Sequence, residues 1–492
     1  MKILLVRPPV PKHTIGLKNI MICEPLELEY IAALLGGHQL QIIDLLVENG
    51  FEKKLKKFNP DVIISSAYKA GTNEVIKLFR KAKTLNPNII TITGGVHATL
   101  NPIDFADVSV DIIGIGDGTF LIKEVIDTIE NQTSLWQVDG LAFPVSSSEL
   151  AFTAKRKYMP NADTLPFPDR NLVSHLKEKY YYLMHKPVAT LKTTWGCWYK
   201  CNFCFTYKIT DSLTYSRSPE SIVEELKTIS AKEIYIVDDI FLINKSRLRK
   251  LADLIKENNI NKNYLVYSRA DFIAENEDVI AEWASLGLKS VFVGLEAALD
   301  SELDLMNKEC DVQSNIDAIK ILQKHNVDIY GSLIPGADYS LRDWERLWEF
   351  IKQNQLYYVN ISPMTPLPGS DNFNHEKQFL TVPEDAHSLF DLSHVLLPTK
   401  LPLKTYYRQL LKIYVRTVLN VSRANKITKR SLPTIWSVNY LKMMYGSIKI
   451  GFQFWNAHKH HTPKEIINAQ YKGEFPINYS FETKFSYPFF KK

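Results

Sequence analysis

The chain has 492 residues, more than one ordinary hydrophobic core accommodates, so we expect two to four domains. Hydrophobic residues make up 45% and charged residues 23% of the sequence, as in globular proteins, and no stretch predicts a membrane-spanning helix. Only a short apolar run precedes Arg7, which predicts no secretory signal peptide, and five cysteines do not make a disulfide framework. These features indicate a protein of the reducing cytoplasm.

The net charge of +5 is distributed unevenly along the chain. Residues 401–492 include sixteen Lys or Arg residues and three acids, which gives this region a charge of +13 and leaves the remainder at about −8. Such an asymmetry predicts that the C-terminal region meets an anionic partner or a membrane surface.

Residues 1–135 are predicted to form an α/β domain with a doubly wound, Rossmann-like sheet. Short β-branched apolar runs alternate with helical patterns five times, which is typical of buried parallel strands joined by helices. Ligands of such sheets bind at the carboxyl ends of the strands. Small or polar residues occupy these ends and are candidate cofactor contacts: Ser65, Ser66, Gly94, Gly95, Gly118 and Thr119.

The rest of the chain divides into three parts. Residues 136–186 lack a long periodic pattern and contain a Pro-rich segment, which predicts a linker. From 187 to 375 six strand patterns alternate with helices, which predicts a partial (β/α)6, TIM-like barrel with its chemistry at the carboxyl ends of the strands. Residues 376–492 are predicted to form a basic, mostly helical region.

Three of the five cysteines, Cys197, Cys201 and Cys204, fall within eight residues after the first strand of the second domain. A zinc site normally needs four ligands in two pairs, and a CxxC redox pair would leave one cysteine unused. Three structural cysteines this close together would be unusual in a chain so poor in cysteine. Three thiolates on one loop suit a 4Fe–4S cluster with one open iron. Four aromatic residues would shield such a cluster: Trp195, Trp198, Phe203 and Phe205.

This spacing is a CxxxCxΦC motif, and the chain resembles the radical S-adenosylmethionine (SAM) enzymes. Later segments resemble the family's strand motifs in the family's order: VDDIF (237–241), SRADFI (268–273), VGLEA (293–297), GSLIPGAD (331–338) and PLPGSD (366–371). The resemblance implies that the three cysteines hold a 4Fe–4S cluster whose open iron binds SAM. It also implies cleavage of SAM to methionine and a 5′-deoxyadenosyl radical.

The same resemblance implies contacts to the methionine and ribose parts of SAM. Asp238 or Asp239 would accept from the methionine ammonium, and Arg269 would pair with its carboxylate. Ser268 and Glu296 would bond the ribose hydroxyls. Structural alternatives stay open, because paired acids after a strand are often only solvated and Glu296 could simply end a strand.

The adenine of SAM would lie against the backbone around Gly331 and Gly336. Asp338 stands where the family usually has its final acid, so this position differs from the family pattern and receives no assigned contact.

The first domain lacks the GxGxxG of dinucleotide-binding sheets, since VRPPV follows its first strand. It instead resembles the cobalamin-binding domain of a radical SAM subfamily. The matching segments are RPP (7–9), EPLELEYIAALL (24–35), GGVHATLNP (94–102), GIGDGT (114–119) and the interdomain FPDR (167–170). The resemblance implies cobalamin at the glycine-rich strand ends. A domain that has kept the fold and lost the cofactor is the alternative.

No DxHxxG motif offers a histidine as the lower axial ligand of cobalt, and the subfamily commonly lacks one too. His97 is therefore interpreted as a turn histidine that bonds within the protein rather than as a cobalt ligand.

The subfamily resemblance implies methylation of an unactivated carbon: the 5′-deoxyadenosyl radical removes hydrogen, and cobalamin delivers the methyl group. A cobalamin-dependent radical cyclase or oxidase is the alternative, and a non-catalytic iron–sulfur redox protein is a further one. Thiol-inserting or peptide-modifying enzymes usually carry extra cysteines, which Cys23 and Cys310 alone do not supply. An electron donor such as flavodoxin or ferredoxin is expected.

The C-terminal region hints at the substrate. Lys404, Arg408, Lys412 and Arg416 recur every four residues, which predicts one basic stripe on an amphipathic helix suited to an anionic membrane surface. Residues 394–407 also resemble hopanoid methylases modestly, which implies a lipid-like substrate. A packed helix whose lysines face water is the alternative. Nucleic acid is not predicted as a partner, because no nucleic-acid-binding module is recognisable.

Overall fold

The structure of the protein is a computed structural model that describes residues 1–15, 18, 20–156, 161–183, 185–428 and 438–461, with side chains left out over 421–444. None of the described helices combines the length and the apolar character needed to cross a bilayer.

The first domain is built on a seven-stranded sheet in the order β3-β1-β4-β5-β6-β7-β8. Five strands are parallel, as the alternating pattern predicts, and their apolar runs are buried on both faces between helices. The elements in chain order are β1 (Lys2–Arg7), β2 (Met21–Ile22), α1 (Leu26–Leu34), β3 (Gln39–Asp44), α2 (Phe51–Phe58), β4 (Val62–Ser66), α3 (Thr72–Leu85), β5 (Ile90–Gly94), α4 (Val96–Leu100), β6 (Ile112–Gly114), α5 (Ile122–Glu130), β7 (Leu141–Ser146) and β8 (Glu149–Phe152).

The first sheet extends past the expected boundary at residue 135. The hairpin β7–β8 adds two antiparallel strands to the edge of β6, within the segment expected to be a linker. Its run LAFPV is buried throughout, and Pro144 is accommodated because β7 lies near the sheet edge, where a missing N–H donor is tolerated. The remaining linker contains a 3₁₀ helix (Arg170–Lys179) and β9 (Tyr181–Tyr182), which pairs with β2.

The second domain is the predicted partial barrel, with six parallel strands in the order β10-β13-β14-β15-β16-β17. Helices cover its outer face, and a short antiparallel pair, β11–β12, brackets the cysteine segment. The elements are β10 (Val188–Leu191), β11 (Thr194–Trp195), α6 (Thr206–Ile209), β12 (Tyr215–Ser216), α7 (Pro219–Thr228), β13 (Glu233–Ile236), α8 (Lys245–Glu257), β14 (Asn263–Arg269), α9 (Ala270–Glu275), α10 (Glu277–Ser285), β15 (Leu288–Glu296), α11 (Asp300–Leu305), α12 (Val312–Lys324), β16 (Asp328–Leu333), α13 (Leu341–Gln353) and β17 (Tyr358–Ile361).

A helical pair packs beside the last barrel strand. After α14 (Asp371–Glu376), the long helices α15 (Leu403–Thr428) and α16 (Val438–Ala457) lie against each other and against the barrel. The Tyr414 hydroxyl accepts from the Ile361 N–H of β17 at 2.9 Å, and the Tyr414 ring stacks on Phe454 of α16 at 5.6 Å. These contacts cover the edge that β17 would otherwise expose.

A buried ionic network joins the two domains. The Arg170 guanidinium lies between Glu24, which precedes α1, and Glu225 of α7, at 3.3 and 2.9 Å. Glu24 also accepts from the Thr190 N–H of β10 at 2.6 Å, and Arg170 donates to the Thr190 carbonyl at 2.5 Å. The expected interdomain segment FPDR thus supplies the cation that links the first domain, the linker and the barrel.

We expect Arg170→Ala to destabilise the protein by about 3–5 kcal/mol, because it leaves the Glu24 carboxylate buried without its cation and leaves Glu225 with Arg217 alone. Chemical denaturation would measure the loss. The exposed pair Arg249–Asp278 is a matched control, and Arg249→Ala should change stability by about 0–1 kcal/mol. Equal, small effects of the two substitutions would contradict a stabilising contribution of the network.

Candidate functional site

The three clustered cysteines lie on one loop between β11 and α6, at the carboxyl end of the first barrel strand. All three are free thiols; Cys201 is buried, and Cys197 and Cys204 are half-buried. The loop begins at Gly196, whose φ of +82° and close approach to the Leu213 carbonyl, 2.3 Å from where a Cβ would stand, require glycine. The turn therefore presents three thiols from one short segment.

Hydrogen bonds fix the cysteine loop on the segment that follows α11. The Asn202 N–H donates to the Met306 carbonyl at 3.1 Å, and its side-chain amide donates to the Leu305 carbonyl at 2.6 Å. In return, the Asn307 amide donates to the Lys200 carbonyl at 2.8 Å. Hydrogen bonds within the chain thus hold the loop on both sides of Cys201.

The electrostatics of the loop match a cluster of thiolate ligands. Burial raises the pKa of Cys197 to about 11, and the neighbouring Cys204 and Cys201 add to the rise. Burial also raises the pKa of Cys201, while the positive charges of Lys308 and Arg269 oppose that rise. Buried thiols with raised pKa values, such as Cys197 and Cys201, need a cationic centre to be held as thiolates. This donor set fits a 4Fe–4S cluster bound by three cysteines.

The four aromatic residues expected to shield the cluster have different environments. Trp195 is buried and stacks on Tyr215 at 5.6 Å, in a small core that also includes α1 of the first domain. Phe203 packs near Met306 in a separate apolar cluster, and Phe205 is half-buried. Trp198 is 45% exposed. Trp198 is thus the most exposed of the four, and shielding of a cluster by these residues stays a prediction.

Asp238 and Asp239, expected to face the methionine ammonium, differ in their contacts. Asp238 is buried and accepts from the N–H groups of Thr193 and Thr194 at 2.6 and 3.0 Å, so it holds the chain that leads into the cysteine loop. Asp239 is more accessible; its carboxylate accepts from the Gly196 N–H at 3.0 Å and lies 3.6 Å from Lys192 Nζ. Of the two, Asp239 has the geometry to meet a ligand ammonium.

Arg269 lies beside the cysteine loop but is largely committed to protein partners. Its guanidinium donates to Asp271 at 2.9 Å and to the Lys308 carbonyl at 2.5 Å, and stacks 3.7 Å from the centre of the Tyr199 ring. It also lies 3.8 Å from Cys201 Sγ. These contacts assign Arg269 to positioning the cluster loop and leave it few free donors for a carboxylate.

A buried ion pair that the sequence did not reveal lies next to Cys201. Lys308 Nζ and Glu296 Oε1 are 2.8 Å apart, and both side chains are almost inaccessible. Burial alone would lower the pKa of Lys308, but the charges of Glu296 and Cys201 and the hydrogen bond to Glu296 together outweigh burial and raise the pKa. Glu296 ends β15 with φ of +60°, a conformation that residues other than glycine rarely adopt. Lys308 is thus a second candidate cation for the SAM carboxylate.

The remaining barrel candidates lie at the ends of β14 and β16. The buried Ser268 hydroxyl donates to the adjacent Arg269 carbonyl at 2.9 Å. Gly331 faces outward, because an added Cβ would meet Leu295 at 2.9 Å, so packing explains this glycine. Gly336 follows β16, and its carbonyl accepts from the Tyr406 hydroxyl at 3.1 Å. Only Gly336 remains at an edge where an adenine would lie.

At the edge of the first sheet, small residues leave open space. Gly95 has φ of +90° and approaches Ser66, whereas no atom lies within 4 Å of a Cβ added at Gly118. The Thr119 hydroxyl is bonded to Asp117 at 2.6 Å. Ser65 is fully buried and donates to the Val6 carbonyl at 2.8 Å. The carboxyl ends of these strands thus form a strip that borders open space at Gly118 and is supported from within by Ser65. Its other residues are Ser66, Gly94, Gly95 and Thr119, and their contact with a corrin stays a prediction.

His97 is buried and bonds to Asp104 at 2.7 Å through Nε2, as expected of a turn histidine that serves the protein itself. Lys69 binds the same carboxylate oxygen at 2.9 Å, and His387 of the C-terminal region approaches it at 3.6 Å. The lysine ammonium already neutralises Asp104, so the group acts as a contact between the first domain and the C-terminal region.

Tyr68 lies between the two sites and was not singled out by the sequence. Its side chain is 68% accessible, yet the surrounding protein desolvates the phenol and raises its pKa, and the charges of Glu27 and Asp239 add to the rise. The positive charge of Lys192 in the barrel acts in the opposite direction and lowers the Tyr68 pKa. The Tyr215 hydroxyl of β12 donates to Asp117, which follows β6, at 3.4 Å. The cobalamin-type edge and the cysteine site therefore lie next to each other.

Comparison with known proteins assigns both domains. Residues 191–351 match the model of the radical SAM superfamily, and residues 13–126 match that of the B12 binding domain. The chain therefore contains a radical SAM domain and a B12-binding domain. The family resemblance, the α/β fold class, and the cofactor set of 4Fe–4S cluster, SAM and cobalamin are confirmed. The two domains together indicate a radical SAM enzyme that also binds cobalamin.

Individual relatives agree with this assignment. The chain is 28% identical to hopanoid C-3 methylase of Methylococcus capsulatus over 84% of its own length and 79% of that protein. Its fold is similar to that of the cobalamin-dependent SAM radical enzyme OxsB, with a TM-score of 0.68 at 15% identity, covering 92% of this chain and 72% of the other. It is also similar to the methyltransferase TsrM of Kitasatospora setae, with a TM-score of 0.66 at 11% identity, covering 94% and 98%.

We expect Cys201→Ala to abolish cluster binding, because the two remaining thiols cannot hold a cubane that needs three protein ligands. Iron and sulfide content after oxygen-free reconstitution measures this directly. Cys310→Ala is the matched control, since Cys310 lies outside the loop, and it should keep a full complement of iron. Equal iron content in the two variants would contradict the assignment.

Lys308→Met should weaken SAM binding roughly tenfold or more, because it removes a buried cation able to meet the SAM carboxylate. Equilibrium binding of SAM to cluster-loaded protein would measure the change. Lys200→Met, an exposed lysine on the cysteine loop, is the control. An unchanged dissociation constant in protein with normal iron content would rule out Lys308 as the carboxylate partner.

Proposed function

We propose that the enzyme methylates an unactivated carbon of a lipid-like small molecule. The observation that carries this proposal is the contact between the two sites: the Tyr215 hydroxyl beside the cysteine loop donates to Asp117 at the edge of the first sheet at 3.4 Å, and we infer that both sites share one cleft. A hydrogen-abstraction site and a methyl donor must both reach one carbon, and a common cleft allows this. When bound, the iron–sulfur cluster supplies the electron that cleaves SAM, and cobalamin supplies the methyl group.

The residues of the chain bind the cofactors, orient the substrate and exclude water from the site. We assign Cys197, Cys201 and Cys204 as cluster ligands, Asp239 and Lys308 as the partners of the methionine ammonium and carboxylate, and Glu296 as a support of Lys308. Ser268 and Gly336 remain candidates for the ribose and adenine. The strip from Gly94 to Thr119 would cradle the corrin. Arg269 positions the cluster loop through Asp271 and Tyr199.

We further propose a cytoplasmic enzyme in peripheral contact with the inner face of the membrane. A lipid-like substrate is held in a bilayer, and the basic C-terminal region is suited to an anionic surface. The predicted stripe is only partly free: Lys404 and Arg408 are exposed, whereas Arg416 and Lys412 approach Glu345 at 3.0 and 3.9 Å. A low-potential carrier such as flavodoxin or ferredoxin would supply the electrons.

The test uses protein purified without oxygen from cobalamin-fed cells and reconstituted with its cluster. Bound cobalamin is measured by absorbance, then methyl-labelled SAM and a reductant are added. Label on stoichiometric cobalamin together with 5′-deoxyadenosine supports the methylase. Cobalamin and 5′-deoxyadenosine without label transfer would leave a cyclase or oxidase, and 5′-deoxyadenosine without cobalamin would end the methyl-transfer proposal.

In this assay Gly118→Leu should bind at least tenfold less cobalamin, because the new side chain fills open space at the sheet edge without meeting protein atoms. Gly37→Leu is the matched control, since a Cβ at Gly37 also meets nothing within 4 Å. Gly37 precedes β3 and so lies at the opposite end of the first sheet from the cleft. Both variants should keep wild-type melting temperatures. Normal cobalamin content in Gly118→Leu would show that the corrin does not lie along this strip.

A further inference from the structure

The outer face of α16 is apolar and exposed to solvent. Tyr445, Ile448, Phe452 and Trp455 recur at spacings of three and four residues and therefore lie on one side of the helix. They are 69%, 55%, 67% and 51% exposed. Single exposed apolar residues are ordinary, but a row of four large ones on one helix indicates a binding surface. We call these four residues the α16 stripe.

The α16 stripe is not needed to hold the helix in place. The opposite side of α16 carries Phe454 and Ala457, both almost fully buried in the main core of the barrel. At Gly451, an added Cβ would lie 3.5 Å from Leu411 of α15, so the two helices also touch closely there. A rigid helix therefore presents the stripe outward.

Positive charge surrounds the α16 stripe. The segments of α15 and α16 contain eight Lys or Arg residues and no Asp or Glu. Lys404, Arg408 and Lys449 are exposed, and the Arg408 guanidinium lies 5.2 Å from the Trp455 ring centre. Further exposed apolar residues on α15 enlarge the surface: Val415, Val418 and Leu419. Large apolar side chains flanked by cations are typical of helices that lie in a lipid interface.

We propose that the α16 stripe docks onto an anionic lipid bilayer, with α16 parallel to the membrane plane and its apolar residues in the headgroup region. Charge complementarity selects this partner, because anionic headgroups attract the exposed cations Lys404, Arg408 and Lys449. A second copy of the chain on the same surface would bring two such basic pairs together and be opposed by their repulsion.

The docking surface lies close to the proposed cleft. Gln453 of α16 donates to the Thr14 carbonyl of the first domain at 3.3 Å. Tyr406 of α15 bonds the carbonyl of Gly336, at the carboxyl end of β16. The same helical pair thus touches the bilayer, the domain junction and the barrel mouth. Delivery of the substrate from the membrane rests on the proposed lipid methylation; docking itself does not.

The experiment is sedimentation of the full chain with phosphatidylcholine vesicles that contain about a quarter phosphatidylglycerol. We expect binding that weakens with salt and with removal of phosphatidylglycerol. Ile448→Gln with Phe452→Gln should reduce the partition coefficient roughly tenfold or more, since it removes two large apolar contacts without changing charge. Phe152→Gln is the matched control, because Phe152 is 57% exposed on β8 of the first domain.

Wild-type protein that stays in the supernatant, or a double variant that binds as well as Phe152→Gln, would overturn the docking proposal. So would a wild-type dimer in size-exclusion chromatography that becomes a monomer in the double variant, because the stripe would then be a contact between copies. Cobalamin labelling and 5′-deoxyadenosine formation, measured without vesicles, should be unchanged in the double variant. Failure of vesicle binding with intact labelling, or the reverse, separates this proposal from the proposed function.

Discussion

The fold depends on the buried position of one guanidinium. Arg170 compensates two carboxylates that belong to different domains, and its hydrogen bond to the Thr190 carbonyl ties both to the first barrel strand. A buried pair of this kind adds little net stability, but it permits only one arrangement of its partners. That arrangement places the carboxyl edge of the first sheet beside the cysteine loop, where the Tyr215 hydroxyl bonds to Asp117. Two cofactors bound by separate domains can act on one carbon only if this relative position is fixed.

A second set of contacts joins the first domain to the C-terminal region. His387 and Lys69 converge on Asp104, and the Lys69 ammonium also lies 4.6 Å from the centre of the Phe390 ring. Burial lowers the pKa of His387 to about 3, so this imidazole is neutral at physiological pH and no extra charge is buried. The first domain is thus held by the linker on one side and by the C-terminal region on the other.

The sequence predicts the elements that follow from periodicity and from motif spacing. Apolar β-branched runs identify the parallel strands of both sheets, and the CxxxCxΦC spacing identifies the cluster loop. Contacts between residues far apart in the sequence could not be predicted from it. Nothing in the sequence places Lys308 next to Glu296, or turns Arg269 toward Asp271 and Tyr199, because these pairings depend on how loops pack after folding. The hairpin β7–β8 was missed because Pro144 interrupts its strand pattern.

The hydrogen bonds by which Asn202 and Asn307 hold the cysteine loop bear on how a cluster would be assembled there. These bonds use backbone carbonyls and side-chain amides and do not involve the cysteine thiols. Gly196 fixes the turn at the start of the loop. The protein itself therefore sets much of the shape of the loop, and a cluster would meet three thiols that are already brought together on it.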